Sequence, residues 1–155
     1  MKFSLIFTGL VFLCSCASQT HSPDAGGLKT YVNDQIGMTM EYPASWSEQS
    51  VPTDNAPYRT ERLFGSEGSI DVTWGSGLGG ACGENGTEKP LEKLMIGDRS
   101  MDVCHTRENG GEAWRLISWT VSSETGVTVD ATALAPAASN SPVILQILST
   151  LKIGK

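Results

Sequence analysis

Apolar residues recur at every second position in three separate stretches of this chain. Met38, Met40 and Tyr42 alternate with Thr39 and Glu41, Ile70, Val72 and Trp74 with Asp71 and Thr73, and Met101 and Val103 with Asp102 and Cys104. A β-strand points successive side chains to opposite faces, so this period predicts half-buried strands with one wet side. Trp114 and Leu116 fall on one parity and Ile117, Trp119 and Val121 on the other, which predicts a central strand covered on both faces. Gly97-Asp98, Asn109-Gly110-Gly111 and Ser122 to Gly126 supply turns between neighbouring strands, so an antiparallel meander is expected. Near the end the period changes: Ser141 suits a helix N-cap, Pro142 the first helical position, and Ile144, Ile147, Leu148 and Leu151 share one stripe. The expected class is α+β, an antiparallel sheet packed with a C-terminal helix, in a single domain over 28–155.

The N-terminus reads as an address. Lys2 precedes an apolar run from Phe3 to Leu13, which ends at Cys14-Ser15-Cys16. Eleven residues at 1.5 Å each reach about half of a ~30 Å hydrocarbon core, so residues 1–15 are expected to be a signal peptide and not a membrane span. Leu13-Cys14-Ser15-Cys16 resembles a bacterial lipobox, with Leu three before the modified Cys and a small residue directly before it. Cys14 stands where such motifs more often have Ala, Ser or Thr. The resemblance implies cleavage before Cys16 and its lipidation; the alternative is an ordinary secretory cut after Ala17. With Ala17 and Ser18 following the Cys, resemblance to lipoprotein sorting in diderm bacteria implies the outer membrane. Residues 16–27 (the lipidated Cys and ASQTHSPDAGG) are small, polar and aperiodic, as a flexible tether would be, and His21 is a solvated linker residue within it.

Charge excludes one class of partner. The chain carries 11 basic against 17 acidic residues, a net charge of −6, and −7 once Lys2 leaves with the leader. No run of Lys or Arg exceeds a single residue, so nucleic-acid binding and electrostatic adhesion to anionic lipid are not expected.

Tyr31-Val32-Asn33, then Gly37 to Pro43 and Trp46, resemble the opening of PsbP-like domains, which share the fold of the Ran-binding Mog protein and often read Y-x-N, a Gly-aromatic strand, then Y-P-x-x-W. The ending Ile147 to Ile153 is similar to their closing I-L-x-S-x-K helix. Between Trp74 and Leu91, where many relatives insert a helix, this chain has a Gly-rich segment instead. The resemblance implies an α/β sandwich used as a binding or assembly module with no shared active site.

Several constellations invite a chemical reading. Gly75-Ser76-Gly77-Leu78-Gly79-Gly80 matches G-x-G-x-x-G after a strand, but Ala81 to Gly86 contains two further glycines and a Cys where a dinucleotide site needs a helix N-terminus. A mobile surface loop, or one that closes over a ligand, is expected instead. Cys82 and Cys104 are the two remaining cysteines of an exported chain, which most often pair. The closed loop predicts about 3 kcal/mol of stabilisation in the chain-entropy model. Zinc on Cys82, Cys104 and His105 is the sharper alternative, weakened by the absence of C-x-x-C spacing.

His105 is the folded domain's candidate base, expected at the core edge on the face of Met101 and Val103. No G-x-S-x-G supplies a nucleophile elbow. Glu84, Glu88, Glu92, Asp98, Asp102, Glu108 and Glu112 read as a solvated acidic surface in which nothing pairs two carboxylates for glycoside cleavage. Core packing is expected for at least three of Trp46, Trp74, Trp114 and Trp119, the other reading being a sugar-stacking platform. The expected function is therefore a membrane-anchored envelope lipoprotein acting as a non-enzymatic binding module for a protein or small ligand, without cofactor or metal. Its rivals are a hydrolase using His105 under a Gly75 to Gly86 lid, and a cell-wall carbohydrate binder.

Overall fold

The computed structural model describes residues 26–54, 56–76, 78, 91–120, 122 and 125–154, with backbone alone at 91, 108 and 117–120. In chain order the elements are β1 (Leu28–Asn33), β2 (Met38–Pro43), β3 (Ser47–Val51), β4 (Tyr58–Phe64), β5 (Gly68–Gly75), β6 (Leu91–Ile96), β7 (Arg99–Glu108), β8 (Gly111–Thr120), β9 (Gly126–Ala133), α1 (Ala137–Ser149) and β10 (Lys152–Ile153). Every strand pairing is antiparallel. A three-stranded sheet has the order β1-β2-β10, and a seven-stranded sheet the order β3-β4-β5-β9-β8-β7-β6. The large sheet is two meanders joined where β5 pairs with β9.

The alternation does what its period requires. Met38, Met40 and Tyr42 of β2 and Ile70, Val72 and Trp74 of β5 are buried, while the intervening positions are not. They join Trp46, Leu63, Val103, Trp114, Leu116, Val127 and Val129, with Ile144, Ile147, Leu148 and Leu151 from the helical end, in one core. Helix α1 packs on β9, β5 and β8, so the small sheet and the helix together cover one face of the large sheet. The chain is thus an α+β sandwich of antiparallel sheets with one C-terminal helix.

The other face of the large sheet carries ion pairs alongside exposed Tyr58, Phe64 and Met95. Arg62 donates two hydrogen bonds of 2.6 Å to Asp71, and Arg115 and Lys93 pair with Asp130 and Asp102 there. This corrects the expectation that β8 is covered on both faces. The parity switch comes from a register shift: Leu116 opposes Val129 and Trp119 opposes Val127, so residues 117 and 118 stand against Thr128 alone. One extra residue of this kind shifts the alternation of the strand by one position, so the parity of its sequence switches while the face stays the same.

Two turns follow the expected residues. Asn109 and Gly110 have φ of 52° and 78° between β7 and β8, the paired positive values of a tight hairpin turn. Gly97 (φ 58°) with Asp98 closes β6 onto β7. The helix starts earlier than expected. Pro136 stands at the N-cap and Ala137 opens the helix, which leaves Pro142 inside it and Ser141 buried in it. Inside the helix Ser141 has no N-cap position to fill, and its hydroxyl donates to Glu112 Oε2 at 2.6 Å instead. The Ser139 hydroxyl and the Asn140 N–H bond the Pro136 carbonyl and close the first turn without it.

Candidate functional site

Two polar clusters occupy the core-facing side of the sheets. The first lies where the β1–β2 turn meets β3, β4 and β5. On β4, Arg59 and Glu61 share the parity of buried Leu63 and oppose Trp74 and Val72 in register, so charged groups stand where the core would continue. They line a cleft of about 410 Å³ together with Asn33, Asp34 and Gln35 of the turn, Glu48, Ser50 and Thr53.

Its floor is a hydrogen-bonded chain. The Tyr31 hydroxyl donates to Glu61 Oε2 at 2.5 Å, Asn33 Nδ2 donates to the Tyr31 hydroxyl at 3.0 Å, and Asn33 Oδ1 accepts from the Gln35 N–H at 3.1 Å. The Trp74 indole N–H donates to Gln35 Oε1 at 3.0 Å, which fixes the turn against the large sheet. Burial and the carboxylate of Glu61 push the Tyr31 hydroxyl well above its ordinary range, because both oppose a phenolate. Arg59 is exposed at the cleft and has no acidic partner among the described residues.

The second cluster gathers around His105 on β7. Its ring stacks on Trp114 with centroids 5.1 Å apart and planes 13° apart. Nδ1 lies 2.7 Å from Glu92 Oε2 on β6, and Nε2 lies 3.7 Å from Glu112 Oε1 on β8. Glu112 also takes the Ser141 hydroxyl and, at 2.5 Å, the Arg107 Nε. The Ser141 bond, more than Arg107, holds the Glu112 carboxyl below its usual range against the opposing effect of burial. Nε2 of His105 is buried without a hydrogen-bond partner. A serine, a histidine and a carboxylate thus meet, but in an order unsuited to hydrolysis: the hydroxyl donates to the carboxylate and not to the imidazole, so the ring is not placed to take its proton.

The expected residues fall as follows. His105 sits at the core edge on the Val103 face, its side chain 17% exposed. Trp46, Trp74 and Trp114 are buried, and the side chain of Trp119 lies outside the described residues. Of the seven acids read as unpaired surface, Glu92 and Glu112 are in fact brought to opposite sides of His105, because antiparallel pairing stacks β6, β7 and β8 in register. Cys104 opposes Arg115 and so points to the outer face, yet it is only 4% exposed. Cys16, Cys82, His21, Glu84, Glu88 and most of the 75–86 loop lie outside the described residues. Among the described residues no group of three or more His, Cys, Asp or Glu is placed to hold a metal, and no helix is long and apolar enough to cross a membrane.

The sequence reading missed the cleft. Its signal was present in β4, where Arg59 and Glu61 occupy the inward parity of Leu63.

Fold and site together define a two-sheet α+β domain with a polar cleft at one end of its core. No protein-family model matches the chain, and no curated protein matches it. Among solved structures it is similar to cyanobacterial PsbP (CyanoP) from Synechocystis sp. PCC 6803, at 12% identity over 92% of this chain and 99% of that one with a TM-score of 0.48. It is also similar to a protein from Bacteroides thetaiotaomicron VPI-5482, at 15% identity over 82% of this chain with a TM-score of 0.43, and it spans about half (48%) of that protein's length.

Proposed function

We propose that the chain is an envelope lipoprotein anchored through Cys16, on the outer membrane where the host has one, and that its PsbP-like domain is a non-enzymatic binding module. The cleft beside Arg59 and Glu61 is its site. The observation that carries the binding reading is the cleft's unequal pairing. Tyr31 already engages Glu61, while Arg59 is left open beside Asp34, Glu48 and the turn amides. Arg59 makes no ion pair with the three carboxylates that line the same cleft, Asp34, Glu48 and Glu61, so its guanidinium is open to an acceptor group of a bound partner, while the acidic excess favours a neutral or basic one. Supporting the PsbP-like reading, the motif residues Tyr31, Met38, Met40, Tyr42 and Trp46 from one chain end and Ile147, Leu148 and Leu151 from the other meet in one core.

A photo-crosslinking residue in place of Ser50 is expected to trap one discrete envelope component in intact cells, with at least a tenfold loss in Arg59→Glu. The same probe replacing Met95 on the outer face of the large sheet serves as reference. Hydrolysis of an ester, peptide or glycoside that vanishes in His105→Ala, with circular dichroism unchanged, overturns the non-enzymatic reading. The anchor is tested by intact mass: the membrane-extracted protein is expected to exceed the Cys16–Lys155 polypeptide by three acyl chains, and a free N-terminus at Ser18 refutes it. The Cys82 to Cys104 bridge belongs to the same proposal. It is supported by the burial of Cys104, 4% exposed on the outer face of the large sheet.

A further inference from the structure

The outer surface of the three-stranded sheet is apolar where the chain enters it. Successive β1 residues alternate, so Tyr31 and Asn33 turn into the core while Leu28 and Val32 point outward, 60% and 57% exposed. Only six large apolar side chains stand exposed among the described residues, and this one edge strand carries two of them. Beside Leu28 a groove of about 230 Å³ runs between the sheet and α1, lined by Pro43, Val143 and Ile147 with Gln146 and Thr150. The charged residue among its lining is Glu41, whose backbone N–H donates to the Thr150 hydroxyl at 2.8 Å. The described chain starts at Gly26, and Gly27, which also lines the groove, is held by the Ala44 N–H. Whatever precedes residue 26 therefore leaves the domain at the lip of this groove.

We propose that this face, with Leu28 and Val143 as its central contacts and Val32, which also lines the Arg59 cleft, at its far edge, docks onto the hydrocarbon boundary of the bilayer that holds the anchor. The inference rests on the lipid-anchor reading. Nine residues lie between Cys16 and Gly26, and a small, polar segment of that length has an r.m.s. reach of about 16 Å. Held so near the lipid, a patch too small to bind vesicles from free solution meets the bilayer at a high effective concentration. The tether leaves from the same face, so the anchor turns Leu28 toward the membrane without a long detour. With the domain's acidic balance, contact is through apolar side chains and needs no anionic lipid.

The test uses the full processed chain in phosphatidylcholine vesicles doped with a phosphatidylcholine whose acyl chain carries a diazirine. After illumination, adducts are mapped by mass spectrometry. Adduct yield at Leu28, Val32 and Val143 is expected to exceed that at Met95, which is 62% exposed on the opposite side of the sandwich, by at least tenfold. In Leu28→Asp/Val143→Asp, which alters no fully buried residue, the yield at Val32 should fall at least fivefold. Yields at Leu28 and Val143 no higher than at Met95, in protein whose mass carries the acyl chains, overturn the docking while the anchor stands; occupation of the groove by a second copy or by the protein's own acyl chain gives this result. A mass without acyl chains overturns both.

Discussion

The Tyr31 cluster and the His105 cluster each bury polar side chains at the edge of the same core, and they do so on opposite terms. Around Tyr31 the buried groups are paired, hydroxyl to carboxylate, amide to hydroxyl and indole to amide, and exposed Arg59 alone is left open at the cleft. Around His105 the carboxylate of Glu112 is bonded by Ser141 and Arg107, and one ring nitrogen is left buried with no partner. The first cluster opens onto a cleft of about 410 Å³ and the second onto the stacked face of Trp114. Satisfied polar groups at the mouth of a cleft are held in place for a partner to read, whereas a packed imidazole between two strands joins those strands. The contrast explains why the residue that looked most chemical in the sequence is the less promising site.

The largest effect that sharpens this contrast is covalent. If the Cys82 to Cys104 bridge holds β7, the His105 region is secured by that link more than by its polar groups. Cys104→Ser is then expected to lower stability by about 2–4 kcal/mol in urea denaturation. Alkylation without reductant should label neither cysteine, and free labelling of both removes the bridge.

Next comes Tyr31→Phe, which strips a partner from both Asn33 and Glu61 in a site that cannot collapse onto the missing oxygen. Leaving buried groups short of a bond predicts a loss of about 1–2 kcal/mol. The same residue sets an alkaline limb. Its folded hydroxyl titrates above its unfolded value, so stability present below about pH 10 is lost as pH rises toward the folded value. Tyr31→Phe should flatten the fall in denaturation midpoint above pH 10. A limb unchanged in the variant assigns it to another group, Tyr42 being the next to examine because burial also raises its hydroxyl.

Smaller again is the acid limb of the His105 cluster. Glu112 is held below its ordinary value, chiefly by the Ser141 hydroxyl, so it contributes stability above the unfolded range of about pH 4.3 and loses it as pH falls through its folded value. Ser141→Ala should make the denaturation midpoint less dependent on pH between 5 and 3. The smallest effect tests the comparison most directly. His105→Phe keeps the stack on Trp114 and removes both the unpartnered nitrogen and the 2.7 Å contact of Nδ1 with half-exposed Glu92, changes of opposite sign, so stability is expected to stay within about 0.5 kcal/mol of the original. A loss of about 2 kcal/mol or more would show that the contact with Glu92, and not the stack on Trp114, is the main thing the imidazole supplies.

Period-two alternation in β2, β5 and β7 and the stripe from Ile144 to Leu151 were sufficient to read an antiparallel sheet closed by a C-terminal helix. Those signals are local: the side-chain direction of a strand or helix is set by backbone geometry within a few residues. The turns at Gly97-Asp98 and Asn109-Gly110 were legible for the same reason, since only certain residues accept a positive φ. Register and partnership were not legible. That residues 117 and 118 stand opposite Thr128 alone, and that Glu92 and Glu112 flank His105, depends on which strands lie side by side. That Ser141 lies inside α1 and gives its hydroxyl to Glu112, 29 residues earlier, is likewise a matter of which elements pack together. The cleft is the fullest case. Arg59 and Glu61 announce themselves as charges on an inward parity, but the turn that makes a cleft of them belongs to the other sheet, and only the packing of the two sheets decides that they meet.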